Sequence, residues 1–160
     1  LWRSKLSDPR GATLVEMIMV LLILSIITMI AVPQVQKRAL REKEYQLRRD
    51  LISVRDAIDR FHADWMDGAL MDGASGVSPD GYPRNWDSLT EGVPTSDGKG
   101  PRRYLRQVPP NPFALDPEMP WRLLGLRDAP DATRWNKVDI FDLRASTDRI
   151  ALDGTRIDEW

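Results

Sequence analysis

Glu16 is the residue whose position makes the greatest chemical demand. It stands near the start of LVEMIMVLLILSIITMIAV (residues 14–32), as the only charge in about 19 residues. An ionised side chain at the centre of hydrocarbon costs at least about 2.5–3.5 kcal/mol, so such a group is usually paired, functional, or close enough to the interface to snorkel out. Other chemistry has little to work with. The chain has no cysteine, which excludes disulfides, thiolate metal sites and cysteine nucleophiles. Its one histidine, His62, lies beside Phe61 and Trp65, and with no second His or Cys a metal or nucleophilic cluster lacks members. A partly exposed structural His is the expectation there. No Ser/His/Asp spacing and no phosphate-binding Gly loop is present.

The 160 residues and formal net charge of -1 leave room for about one domain, and they argue against a general nucleic-acid binder. The averages conceal an asymmetry, because most of the aliphatic content is concentrated in residues 14–32. At about 1.5 Å per residue that run spans a hydrocarbon core of about 30 Å. Ser25 and Thr28 are compatible with this, since a hydroxyl in a lipid helix bonds back to its own backbone. A chain this small hardly encloses a helix that is apolar all round. A cleaved secretory signal has a shorter apolar core, of about 7–15 residues. Here the run continues past Pro33 into a strongly helical segment.

That segment has no Gly or Pro until Gly68. Leu47, Leu51, Val54, Ile58, Phe61 and Trp65 step by four and three, which puts them on one helical stripe. The expectation is one nearly continuous helix over residues 13–66, bent locally at Pro33, with the stripe docked on the chain's own globular part. Residues 67–120 hold nine of the twelve prolines and seven of the ten glycines, so turns and loops dominate. A mobile loop is expected from Asp67 to Gly81, and a short helix from near Pro83 to a stop at Gly92. Val108 to Phe113 (VPPNPF) should run extended, anchored by Phe113, because three of its residues lack donors. Strands are predicted at Trp121–Leu126 and Val138–Leu143, with a third, short one at Ile150–Leu152. The fold class is therefore α+β, with a long N-terminal helix packed on a small antiparallel sheet with long loops.

Gly11-Ala12-Thr13-Leu14-Val15-Glu16, the apolar run and Pro33 together resemble the N-terminus of type IV pilins and type II secretion pseudopilins. Tyr104-Leu105, Pro110-Asn111-Pro112-Phe113, Trp121, Asp139-Ile140-Phe141 and Trp160 extend the resemblance toward the major pseudopilin. The resemblance implies a basic leader over residues 1–11, cleavage between Gly11 and Ala12 by a prepilin peptidase, and methylation of the new N-terminus. Residues 12–33 would be the transmembrane and assembly helix, 34–66 the amphipathic helix and 67–160 a periplasmic head. Thr13, Glu16 and Pro33 would serve filament assembly. The first mature residue is usually Phe in the family and here is Ala12, a departure that bears on methylation more than on cleavage. The chain opens on Leu1 rather than Met, which points to a truncated start or an alternative start codon.

Basic residues flank the span on both sides, so charge alone does not orient it. The resemblance implies a cytoplasmic N-terminus, a single pass through a bacterial inner membrane, and a periplasmic filament after assembly. It also implies self-association and contacts with minor pseudopilins, the prepilin peptidase/N-methyltransferase and an inner-membrane assembly platform. Many major pseudopilins hold one calcium in the loop after the Asp-Ile-Tyr strand. Asp148, Asp153 and Asp158 are the carboxylates available for it here, with Ser146 beside them. The family's Gly-Ala-Asp-Gly stretch is missing from this tail, and a polar loop turning at Asp153-Gly154 is the other reading. The function expected is that of a structural subunit of a type II secretion pseudopilus. The alternatives are a type IV pilin and, from another class, a membrane-anchored enzyme.

Overall fold

The computed structural model describes residues 13–160 except Pro117 and Met119, with main chain alone at residues 30–33. Helix α1 covers Leu14–Met66. Contacts divide the chain into two units, Leu1–Leu40 and Arg41–Trp160. The boundary places the helical residues from Arg41 onward with the head, whereas the sequence divides the chain at 33/34 and 66/67.

Within the first unit, the consecutive apolar residues Met17 to Leu24 are all exposed. Being successive, they cover every side of the helix. One window of this helix reaches a mean hydropathy of 2.7 and none of it is buried, so the segment is long and apolar enough to cross a membrane. Thr28 Oγ1 donates to the Leu24 carbonyl at 2.8 Å, the back-bond expected of a hydroxyl in such a helix. The ring of Pro33, where a bend is expected, lies outside the described residues.

In the second unit the predicted stripe is the core. Leu47, Leu51, Val54, Ile58 and Phe61 are all buried, and Ala57 joins them. Burying each large member contributes about 1.5–3 kcal/mol. The rest of the core includes Leu89, Val93, Ile140, Leu143 and Ile157, all at most 1% exposed. Phe61 meets Tyr104 with ring centroids 5.1 Å apart. Trp65, the last member of the stripe, is half-buried.

After α1 come helix α2 (Trp86–Thr90), strands β1 (Val93–Pro94) and β2 (Pro101–Arg102), strands β3 (Trp121–Leu124) and β4 (Asp142–Ala145), and a 3-10 turn at Ile157–Glu159. β1 and β2 form one antiparallel pair, and β3 and β4 another, with Trp121 opposite Ala145 and Leu124 opposite Asp142. The sheet is thus two separate two-stranded ribbons.

Several expectations shift. α2 starts at Trp86 instead of near Pro83, because Asn85 caps it: its Oδ1 accepts from Ser88 N at 2.9 Å and Ser88 Oγ at 2.8 Å. Gly92 ends it as predicted, with φ +92° and its N–H donating to the Asp87 carbonyl at 3.1 Å. A Cβ at Gly92 would stand 2.4 Å from the Arg102 carbonyl oxygen, so β2 crosses here only against a bare backbone. The loop from Asp67 to Gly81 is pinned by bridges Leu70–Thr95 and Val77–Pro83, with Leu70, Val77 and Ser78 buried.

The second predicted strand, Val138–Leu143, is displaced to Asp142–Ala145. Asp139 and Ile140 are consecutive and both buried, which breaks the alternation of a half-buried strand. Asp139 Oδ1 accepts from Leu126 N at 3.0 Å, and that capped corner replaces the start of the strand. The third predicted strand, Ile150–Leu152, is an isolated bridge between Ile150 and Arg156. Phe113 is an anchor as expected, 6% exposed. The donor-poor segment before it is tied down by Asn111, which donates to the Pro120 carbonyl at 2.7 Å and accepts from Phe113 N at 2.9 Å.

Candidate functional site

The N-terminal residues singled out by the sequence come first. Gly11 and Ala12 lie outside the described residues. Thr13 immediately precedes α1, and its Oγ1 accepts from Glu16 N at 3.2 Å. Its carbonyl accepts from Met17 N at 3.0 Å. Thr13 is therefore the N-cap, and Glu16 sits three residues on, the spacing of a capping box. An acid in the first turn also complements the positive end of the helix dipole. This pattern, Thr-x-x-Glu before an apolar run, is readable in the sequence and gives Glu16 a local role besides any contact with a partner.

The tail carboxylates fold into separate arrangements. Asp153 Oδ2 accepts from Arg48 of α1 at 2.8 Å, while its Oδ1 accepts from Thr155 N at 2.9 Å and Thr155 Oγ1 at 2.6 Å. The Thr155 bonds, with Arg48 behind them, hold its carboxyl below the usual range. Asp158 is gripped by Arg156 at 2.9 and 3.1 Å, which lowers it likewise. Asp148 is exposed. Among the described residues no group of three or more His, Asp or Glu gathers at metal-holding distance. The turn at Asp153-Gly154 forms: Gly154 has φ +86° and donates to the Ala151 carbonyl at 3.0 Å, and Ala151 donates to Thr155 at 2.8 Å.

Arg48 also lies 4.0 Å from the ring centre of Trp160, whose indole N–H donates to Thr155 Oγ1 at 2.9 Å. About two turns along α1, Arg55 donates to Asp142 and to the carbonyls of Leu143 and Trp160. Arg48 and Arg55 of α1 thus fasten the tail to the helix.

His62 stacks flat on Tyr82, with centroids 4.2 Å apart and planes 1° apart, and meets Trp65 at 5.6 Å. Its Nδ1 lies 3.2 Å from the Gly81 carbonyl, which only a protonated Nδ1 satisfies. The half-buried His is a packing element, as expected. Farther along, Asp64 accepts from Arg102 at 2.8 Å and from Tyr104 Oη at 2.7 Å. Burial raises the Asp64 carboxyl, but these two donors outweigh it and the net direction is down. The Tyr104 hydroxyl is pushed up, by burial first and then by its bond to Asp64.

Comparison with known proteins finds no matching family model, curated relative or solved structure.

Proposed function

We propose that this chain is a structural subunit of a pseudopilus, the periplasmic filament that drives type II protein secretion. The observation that carries the reading is a combination within one element. Helix α1 begins at a Thr13 cap with Glu16 in its first turn, is apolar on every side through the next turns, and ends in a one-faced stripe buried by a small α+β head. Gly11-Ala12 ahead of it supplies the processing step, in which a prepilin peptidase cleaves after Gly11 and frees the amine of Ala12. A span with no buried face of its own finds cover in lipid before assembly and among other spans afterwards. Glu16 then pairs with the freed amine of a neighbouring copy, which offsets the cost of burying both charges. The leader stays on the cytoplasmic side and the head lies in the periplasm. Minor pseudopilins, the peptidase/N-methyltransferase and an inner-membrane assembly platform are its partners.

The experiment is co-expression with a prepilin peptidase and a secretion assembly platform, read by intact mass and electron microscopy. A mature mass beginning at Ala12 together with filaments is expected. Retention of residues 1–11, or a processed protein that never polymerises, would overturn the reading.

A further inference from the structure

A groove of about 580 Å³ opens beside β3 in the head. Its walls include Trp86, Trp121, Trp135, Arg122, Arg134 and Lys137, with Glu118 as the only acid among the lining residues. The indole N–H of Trp121 donates to the Pro109 carbonyl at 2.9 Å, and that of Trp135 donates to the Asp139 carbonyl. With those donors occupied, both rings turn apolar surface to the groove. Arg122 spends one nitrogen on the Asp158 carbonyl at 3.2 Å, while its buried Nε has no partner among the described residues. Arg134 and Lys137 are exposed, and neither enters the ion pairs formed among the described residues.

The backbone at Lys137 is held in place. Asp128 Oδ2 accepts from Gly125 N at 2.7 Å and Asn136 N at 3.2 Å, and Asn136 Oδ1 accepts from Val138 N at 2.7 Å. Between them Lys137 has φ +62°, the only described non-glycine residue in the left-handed region. Such a conformation persists only where its surroundings enforce it. The groove has an aromatic floor with positive charge at its rim, and it fits an apolar segment that carries carboxylates.

The head offers such a segment on residues that do not line the groove. Met66 and Met71 are 67% and 49% exposed, and Asp67 and Asp72 beside them are exposed too. Met66 is the last residue of α1, and the last turn contains no basic residue. Asp67 therefore adds negative charge where the helix dipole is already negative, an unfavourable placement that a cation relieves. Asp64, one turn earlier, has Arg102 for this purpose, whereas Asp67 and Asp72 enter no ion pair among the described residues. Thioether side chains also pack well on aromatic rings.

We infer that the Met66–Asp72 turn of one copy docks into the Trp86/Trp121/Trp135 groove of the next copy, its Asp67 and Asp72 facing Arg134 and Lys137. The contact joins two different patches, so it propagates head to tail. It rests on the self-assembly reading above and names the head contact of that assembly.

Because the sequence has no cysteine, introduced ones are the only thiols. The full chain carrying both Asp67→Cys and Lys137→Cys, expressed with its assembly machinery and mildly oxidised, should give a covalent ladder. The two single variants co-expressed should stop at dimers, and each alone should give none. In the chain carrying both cysteines, Arg134→Glu should reduce the ladder severalfold, and Asp72→Lys added to it should restore the ladder. Absence of the ladder overturns the contact. So does disulfide linkage of Lys137→Cys to itself, or cross-linking of that position to a different polypeptide. Filaments seen by microscopy without the ladder would overturn the contact and leave the pseudopilus reading intact. A ladder without filaments would support the contact and remove the filament reading.

Discussion

Arg55 of α1 donates from Nε to Asp142 Oδ1 at 2.7 Å, and so joins the C-terminal third of the long helix to the first residue of β4. The same guanidinium reaches the Leu143 carbonyl at 3.1 Å and the Trp160 carbonyl at 2.8 Å. Side-chain exposures of 36% and 29% make this a half-solvated pair, so the ion pair itself contributes little, and the two carbonyls are the larger loss when the fork is removed. Arg55→Ala should lower unfolding free energy by about 1–3 kcal/mol. Arg55→Lys should recover less than half, because an ammonium lacks the planar fork. Chemical denaturation of the full chain in detergent measures both, and full recovery by lysine would refute the geometric account.

Asp64 and Tyr104 set a stability window. The Asp64 carboxyl is held below its ordinary value in the fold, so its contribution is complete above about pH 4 and is lost as pH falls through the depressed value. Tyr104 is raised, so its contribution is complete below about pH 10 and is lost as pH rises through the elevated value. The melting temperature should be flat between these limits and fall outside both. Asp64→Asn should make the acid limb shallower, with Asp153 and Asp158 still contributing to it, and Tyr104→Phe should do the same to the alkaline limb, which Tyr82 shares. If neither limb responds to its variant, the linkage lies elsewhere.

Gly92 and Gly154 separate steric from torsional strain. Both have positive φ, but a Cβ at Gly92 meets the Arg102 carbonyl at 2.4 Å while one at Gly154 meets nothing within 4 Å. Gly154→Ala should cost about 1 kcal/mol, from backbone conformation alone, and Gly92→Ala clearly more. Equal losses would show that β2 yields to the new methyl group.

Glu16 has two proposed roles that one substitution distinguishes. Gln at the third helical position still serves a capping box but carries no charge. Glu16→Gln should insert into membrane as wild type does and yet fail to assemble. Normal assembly by the Gln variant would leave only the cap.

The arginine contacts at Asp153 and Asp158 carry a prediction for calcium. With Arg48 and Arg156 in place, a chelator should leave the melting temperature of the full chain unchanged. A fall that added calcium reverses would instead place a cation in the tail, by displacement of those arginines.

Periodicity carried much of the head. The four-three spacing of Leu47 to Trp65 requires one apolar stripe whatever packs on it, and five of its six members are buried. Gly92 and Phe113 were legible for the same kind of reason, since each depends on a local property of the residue: backbone freedom at one and a lone large apolar group in a donor-poor run at the other. The apolar run of residues 14–32 was legible as a membrane-length helix because length and composition suffice for that inference.

Tertiary structure decided the rest. The start of β4 moved because Asp139 is buried as a cap for Leu126, a bond spanning thirteen residues that no local pattern reveals. The tail carboxylates were visible in sequence, but their arginine partners lie about a hundred positions away on α1 or next to them in a turn that only folding forms. The tryptophan groove is likewise assembled from α2, β3 and the loop before β4. Local sequence determines which residues want burial and where the chain turns, whereas which distant polar groups satisfy one another is settled only when the elements pack.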